Sequence, residues 1–363
     1  MKVSPKALSG FMVQALMGAG IPEGDARTVG EVLLAADLRG IDSHGINRLK
    51  PIYIDRIREG IISPVTVVDV LQEGPTTAVL DGNNGMGQVI AKEAMILAME
   101  KAKALGMGMV VVRNSNHYGI AGYYAHMATD AGLIGITGTN ARPSIAPTGG
   151  LENLLGTNPL TIGIPSDEEF PFLIDCATSI SQRGKIEALA RKGLATPEGW
   201  VIGEDGRART DTEAILVDLV KGKAALTPLG GIGEELGGHK GYGYATAVEI
   251  LSSALASAPF MQALSGMGTD GEKIPYGLGH FFIAIDPGAF LPLAEFRKNV
   301  GEILRTLRSS RKAPGTQRIF TAGEKEHRML LERSEEGIPL PEGLLEEIRT
   351  LENWYGISPD WRS

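Results

Sequence analysis

Residues 65–71 and 76–80 are two short β-prone runs separated by Gln72-Glu73-Gly74-Pro75. A Gly-Pro turn between apolar runs is a hairpin signal, so the strands should pair antiparallel. The next loop, Asp81-Gly82-Asn83-Asn84-Gly85-Met86-Gly87, follows a strand and opens a helix, as a dinucleotide-binding turn does. Its glycines read G-x-x-G-x-G rather than G-x-G-x-x-G, and no acid of a clean βαβ unit follows about twenty residues on. A standard Rossmann site is therefore not expected here, and the loop reads as a tight turn.

The rest of the pattern is helical at both ends and mixed in the middle. Ser4-Pro5 offers an N-cap with proline at the first helical position, and Leu8, Phe11, Met12 and Leu16 then share one face. A second helix starts near Pro22 and stops by Gly40, and a third presents Leu49, Ile52, Tyr53 and Ile57. Helices near 88–105, 121–131 and 180–192 alternate with strands near 109–112, 133–138, 159–165 and 171–175. A glycine-rich stretch, 229–243, leads into a helix ending near 258, and a strand at 280–285 precedes further helices. The expectation is an α/β (α+β) chain: a helical domain from residues 1–68 with 292–363, around a central mixed α/β domain at 69–291.

Acids outnumber bases 43 to 35, for a net charge of -8. Nucleic acid is an unsuitable partner, since binding it needs clustered Lys and Arg. One cysteine excludes an internal disulfide and a cysteine-based zinc cluster. The N-terminus lacks the apolar core of a secretory signal, and no run approaches the length of a membrane span. A cytoplasmic location, without membrane contact, is the expectation.

Three histidines lie in glycine-flanked polar settings. In Asp42-Ser43-His44-Gly45-Ile46-Asn47-Arg48 an imidazole suited to proton exchange is four residues from a guanidinium suited to a carboxylate. That pairing serves a 2-hydroxy or 2-oxo acid; the bland alternative is a helix cap beside a satisfied polar residue. Asn114-Ser115-Asn116-His117-Tyr118-Gly119 leaves a buried strand, where ligands commonly sit. Gly237-Gly238-His239-Lys240-Gly241-Tyr242-Gly243 opens a helix whose N–H groups could approach an anion, without the ending of a P-loop. The segments 137–140, 147–150, 155–160 and 175–179 add amide and hydroxyl donors. No G-x-S-x-G elbow is present, and Cys176 has no activating neighbour.

Six of these motifs, in this order, resemble the malate/L-lactate dehydrogenase family of the second type: Asp-Ser-His-Gly-x-x-Arg at 42–48, Asn-x-x-His-Tyr-Gly at 114–119, Thr-Asn at 139–140, Leu-Gly-Thr-Asn-Pro-Leu at 155–160, Asp-x-Ala-Thr-Ser at 175–179 and Gly-Gly-His-Lys-Gly-Tyr-Gly at 237–243. The resemblance runs from about residue 5 to about 330. It implies a largely antiparallel sheet without the Rossmann fingerprint, NAD or NADP as cofactor, a small carboxylic-acid substrate and a homodimer or higher homo-oligomer. It assigns His44, with Ser43 as relay, and His117 to acid–base work. Arg48 would hold the carboxylate, with Thr157 a further substrate contact. Arg142 would meet a second acidic group if the substrate has one, or would be a solvated loop charge. The matching cofactor segments are Asn116, His117, Tyr118, Gly119 and Ile120; Asp175, Cys176, Ala177 and Thr178; Arg183 and Gly184; and the stretch carrying Arg305, Arg308 and Arg311. His239 and Lys240 join them from the glycine-rich helix start.

Lys185 stands near where some members have an acid that completes the serine–histidine relay, which weighs against their imine-reducing branch. The resemblance thus favours a 2-hydroxy-acid dehydrogenase over a cyclic imino acid reductase, a ureidoglycolate-type enzyme or a non-catalytic nucleotide sensor. A metal-dependent lyase or hydrolase using His44, His117 and Asp175 lacks paired histidine-glutamate spacing, so no metal is expected.

Overall fold

The computed structural model describes residues 1–362. Its elements run β1 (Lys2–Val3), α1 (Pro5–Gly18), α2 (Glu23–Leu38), α3 (Asp55–Arg58), β2 (Asp69–Glu73), β3 (Thr77–Asp81), α4 (Gly87–Leu105), β4 (Met107–Ser115), α5 (Gly122–Asp130) and β5 (Ile134–Thr139). They continue with β6 (Leu160–Ile164), β7 (Phe172–Cys176), α6 (Arg183–Arg191), β8 (Val201–Gly203), α7 (Thr212–Lys221), β9 (Ala224–Leu226) and α8 (Gly238–Ser253). The last are β10 (Leu278–Ile285), α9 (Leu293–Ser309), α10 (Glu324–Glu336), β11 (Ile338–Pro339) and α11 (Glu342–Tyr355).

The central sheet has strand order β2-β3-β4-β10-β5-β6-β7, with β3–β4 parallel and the other pairings antiparallel. This is the mixed, mostly antiparallel sheet expected of the family. Strand β10 runs through its middle, and His280, Phe281 and Phe282 on it are fully buried. α4 and α5 cover one face through Ile90, Ala94, Ala98 and Tyr124. Chain ends meet elsewhere: Leu8, Phe11, Leu16, Val29 and Leu33 share a core with Ile338, Leu344, Ile348 and Leu351. Each fully buried aliphatic side chain there contributes roughly 1.5–3 kcal/mol, so the two termini are held by packing as well as by the β1–β11 pair.

Two segments differ from the sequence pattern. The run carrying Leu49 and Tyr53 is not a regular helix; two 3-10 turns, Asp42–His44 and Ile46–Arg48, lead into a π turn at Leu49–Ile54 before α3. Pro51 has no N–H to offer an i−4 carbonyl, and the turn is widened around it. The first strand of the hairpin begins at Asp69 rather than 65. Residues 66 and 67 bond instead to the following turn: the Met86 N–H donates to Thr66 Oγ1 at 3.1 Å and the Asn83 amide to the Val67 carbonyl at 3.3 Å.

Candidate functional site

The 81–87 loop is a turn, with the Gly85 N–H donating to the Gly82 carbonyl at 2.8 Å. Its job in the fold is to brace the exit of β4. The Asn84 N–H donates to the Asn114 carbonyl at 2.8 Å, and the Asn116 amide donates to Asn84 Oδ1 and the Gly85 carbonyl, both at 2.9 Å. A Cβ on Gly87 would lie 2.2 Å from the Asn116 carbonyl oxygen, so α4 can start here only with glycine. This fixes the backbone that carries His117.

From the other side comes the loop after α2. Asp37, almost fully buried, accepts the Ile46 N–H at 2.8 Å, folding residues 42–48 back over the end of its own helix. Gly45 allows that approach, since a Cβ there would sit 1.7 Å from Asp37 Oδ1. Arg333 of α10 donates to the Asp37 carbonyl at 2.6 Å and to Asp42 Oδ1 at 2.5 Å, tying this loop to the C-terminal region. Burial raises the Asp37 carboxyl to about 7, with Asp42 adding to the rise.

The two supports bring His44 and His117 together. Their rings stack at 5.5 Å between centroids, 18° from parallel, and both are half-buried. Nδ1 of His44 lies 2.8 Å from Ser43 Oγ. Nδ1 of His117 lies 2.6 Å from the Tyr53 hydroxyl and accepts the Gly119 N–H at 3.3 Å. Among the described residues neither Nε2 has a hydrogen-bond partner. Arg48 donates from Nε to the Ser43 carbonyl at 2.6 Å, which leaves its terminal N–H groups for a ligand. Desolvation and the Arg48 charge pull His44 down to about 4; burial, His44 and Arg48 hold His117 well below the usual imidazole range. Both rings are neutral at pH 7.

Tyr53, which the sequence places on an apolar helix face, is fully buried and belongs to this cluster. Burial raises its phenol above the ordinary value. Passing its proton to His117 would cost upward of ~5 kcal/mol, since ordinary phenol and imidazole pKa values already differ by about 3.5 and both shifts widen the gap. Tyr53 therefore supports the ring rather than relaying a proton through it. A fourth histidine, His280, is also missed by local pattern. It is fully buried, with Nδ1 2.7 Å from Thr139 Oγ1 and Nε2 2.8 Å from Ser115 Oγ, and it stacks on Tyr118 at 4.5 Å. With both nitrogens engaged it braces β4 and β5 at the site's floor.

The other sequence-selected residues fall into three groups. Near the histidines, Tyr118, Gly119 and Ile120 are buried, and a crevice of about 40 Å³ runs between Ile41, Ile120, Gly122, Asp175 and Glu326. Asp175 accepts the Gly122 N–H at 2.7 Å and the Thr161 hydroxyl at 2.9 Å. Burial raises its carboxyl, and burial likewise pushes the Cys176 thiol up. Ala177 follows it, and Thr178 binds back to Thr157, N–H to carbonyl, at 2.9 Å. Asn140 and Asn158, fully buried, hold the adjoining loops, Asn158 donating to Glu249 Oε2 at 2.7 Å. Arg142 is exposed and lies close enough to Arg56 for their charges to act on each other.

A second group is exposed on helix starts: Arg183, paired with Glu187 at 2.9 Å, Gly184 on α6, and His239 and Lys240 on α8. Lys185 is exposed on α6 as well. The third group is on α9 and beyond it. Arg305 bonds Asp167 at 2.9 Å and Glu168 at 2.7 Å, Arg308 bonds Glu168 at 2.6 Å, and Arg311 is exposed. Among the described residues no three His, Cys, Asp or Glu side chains are placed to hold a metal ion, and no helix is long and apolar enough to cross a membrane.

Two stacked imidazoles and a guanidinium thus gather beside a sheet that lacks the Rossmann fingerprint. Comparison with known proteins identifies the family. The family model described as malate/L-lactate dehydrogenase matches residues 3–349. The crystal structure of malate dehydrogenase from Entamoeba histolytica superposes with a TM-score of 0.94 at 48% identity, covering 99% of each chain. The malate dehydrogenase of Pyrococcus horikoshii is 43% identical over 98% of this chain and 96% of its own. The L-sulfolactate dehydrogenase of Methanocaldococcus jannaschii is 37% identical over 99% and 98%. The chain belongs to the malate/L-lactate dehydrogenase family. It is an oxidoreductase acting on a CH–OH group.

Proposed function

We propose that the protein interconverts a small 2-hydroxy acid of the malate, lactate or sulfolactate type and its 2-oxo acid, using NAD or NADP, with histidine acid–base catalysis. The observation that carries this reading is the stacked His44–His117 pair beside Arg48. The terminal N–H groups of Arg48 would take the substrate carboxylate in a two-point bond. That sets the C2 oxygen before the histidine Nε2 atoms. In oxidation a neutral histidine accepts the hydroxyl proton as hydride leaves C2, so no alkoxide has to form in a partly dry site. Ser43 stays bonded to Nδ1 of His44 and orients that ring.

A nicotinamide carries a carboxamide that must bond both ways, and Asn116 Oδ1 is a buried acceptor without a partner among the described residues. The residues fit the group. Ile120 and Asp175 line the adjoining crevice, and Asn116 to Ile120 with Asp175 to Thr178 would contact the cofactor. Arg305 and Arg308, after exchanging their Asp167 and Glu168 partners, would serve phosphates with Arg311. Arg183, Gly184, His239 and Lys240 would contribute from the helix starts. When bound, the cofactor supplies or takes the hydride. Thr157 would contact the substrate. Arg142, with Arg56 behind it, suits a second acidic group, as the malate- and sulfolactate-acting relatives would need. A homodimer in the cytoplasm, with a helical domain (1–68 and 292–363) closing on the 69–291 domain, completes the proposal.

The test mixes protein with NADH, and separately NADPH, against oxaloacetate, sulfopyruvate, pyruvate and a cyclic imino acid, following cofactor absorbance. Oxidation fastest with a 2-oxo diacid is the expected result. Cofactor binding without turnover on any acid would leave a nucleotide sensor, and absence of cofactor binding would overturn the reading.

A further inference from the structure

We propose that Tyr53 is a positioning residue that holds His117 as the neutral tautomer with its proton on Nε2, so that His117 polarises the substrate oxygen while His44 exchanges the proton. This rests on the dehydrogenase reading above and divides its two histidines into different roles.

The argument starts from a donor that cannot reverse. The Gly119 backbone N–H reaches Nδ1 of His117 at 3.3 Å, and an N–H only donates. Nδ1 must then carry its lone pair. The Tyr53 hydroxyl, 2.6 Å from the same atom, donates to it as well and supplies the shorter bond. With Nδ1 committed as acceptor, the ring proton of neutral His117 lies on Nε2. The groups around the ring oppose a second proton: His44 stacked on it, the Arg48 and Arg56 guanidiniums, and His280 beneath. Losing the Nε2 proton would leave an imidazolate. His117 can thus donate a strong hydrogen bond to a carbonyl or alkoxide oxygen but has no proton to exchange.

His44 is held differently. Its Nδ1 partner is Ser43 Oγ at 2.8 Å, and a serine hydroxyl donates or accepts by rotating. Either protonation state of His44 therefore keeps its bond. In reduction His44 first takes up a proton from solvent, which its Ser43 partner allows by rotating to accept. As C2 is reduced and the C=O π pair moves to oxygen, the imidazolium gives its Nε2 proton to that oxygen and returns to neutral imidazole. The His117 bond to that oxygen persists throughout.

Two-bond ¹H–¹⁵N spectra of ¹⁵N-histidine-labelled protein read the tautomer directly, with the His117→Gln variant giving the assignment. The expected wild-type spectrum shows Nδ1 of His117 unprotonated and Nε2 protonated, unchanged from pH 6 to 9. In Tyr53→Phe, which keeps the ring and its packing, a mixture of tautomers should appear. Its kcat should fall about tenfold, the worth of one hydrogen bond, with KM for the acid little moved and a new ionisation near neutral pH. A protonated Nδ1 in the wild type would overturn the proposal, as would a Tyr53→Phe variant with the wild-type tautomer and pH profile. The spectra need no turnover, so they decide the tautomer even if the dehydrogenase reading fails.

Discussion

The imidazoles of His44 and His117 stack 18° from parallel, although one comes from the loop after α2 and the other from the exit of β4. In that stack both Nδ1 atoms are engaged, His44 by Ser43 and His117 by Tyr53. Replacing His44 with alanine should lower kcat by roughly a hundredfold or more, the usual worth of a positioned acid–base group. His117→Gln keeps a donor and should lose less. Stopped-flow and steady-state rates on both variants check the order; equal wild-type rates in both would remove the histidines from the chemistry.

Arg48 spends its Nε on the Ser43 carbonyl, so its planar fork is aimed as well as charged. Lysine keeps the charge but neither the fork nor that anchoring bond. We expect Arg48→Lys to cost roughly 1.5–3 kcal/mol of substrate binding, read as a ten- to hundredfold rise in KM. A change confined to kcat would mean that the carboxylate binds elsewhere.

The sequence pattern locates the seven strands of the central sheet, most helices and both histidine loops because each is a local signal: alternation, helical spacing, glycine next to a polar group. The short pairs β1–β11 and β8–β9, two or three residues each, are too brief to carry one. Tyr53 escapes it for a physical reason. Its neighbours Leu49, Ile52 and Ile57 have helical spacing, but Pro51 lies in a π turn that changes which way each side chain points. Nothing near Tyr53 in sequence announces His117, which reaches it only through tertiary packing. Asp37 looks like a polar residue at a helix end, and its burial depends on Gly45 bringing the chain back over it. His280 sits in an apolar strand, and its partners Ser115 and Thr139 lie on the neighbouring strands β4 and β5. The sheet's antiparallel character is announced by one hairpin, whereas the position of β10 between β4 and β5 carries no local signal.

Gly45 has no room for even a methyl group, because Asp37 occupies the space. Gly45→Ala should displace residues 42–48 and with them Ser43, His44 and Arg48. Loss of a buried hydrogen-bonded contact plus overpacking costs about 2–4 kcal/mol. The melting temperature should fall and activity should fall further than stability explains at temperatures where the variant is folded. An active, fully stable variant would show that the loop has more freedom than this contact allows.

His44 is held down to about 4 by desolvation and by Arg48. The neutral form needed to accept a proton thus persists well below the ordinary imidazole range. For oxidation of the hydroxy acid, kcat/KM reports the free enzyme and should stay level from pH 8 to about 5, then fall as pH drops through about 4. Circular dichroism at each pH separates this from acid unfolding. An acid limb centred near 6.5 would mean that the base is an unshifted imidazole.

Asp37 gives the opposite sign. Its carboxyl is raised from 3.8 to about 7 by burial, with Asp42 adding to the rise and both the Ile46 N–H and Arg333 opposing it. The folded state therefore binds this proton more tightly than the unfolded chain, and the resulting stability is fully present below about pH 4. It is lost progressively as pH rises through about 7, up to at most ~4 kcal/mol if nothing relaxes. Asparagine keeps an oxygen for the Ile46 N–H but cannot ionise. Relative to wild type, Asp37→Asn should be destabilised or neutral at pH 5 and gain ground as pH rises to 8. Thermal melts of both proteins across that range give the difference directly. A difference independent of pH would place the Asp37 ionisation in the ordinary carboxylate range, and the loop carrying His44 would then rest on a charged residue.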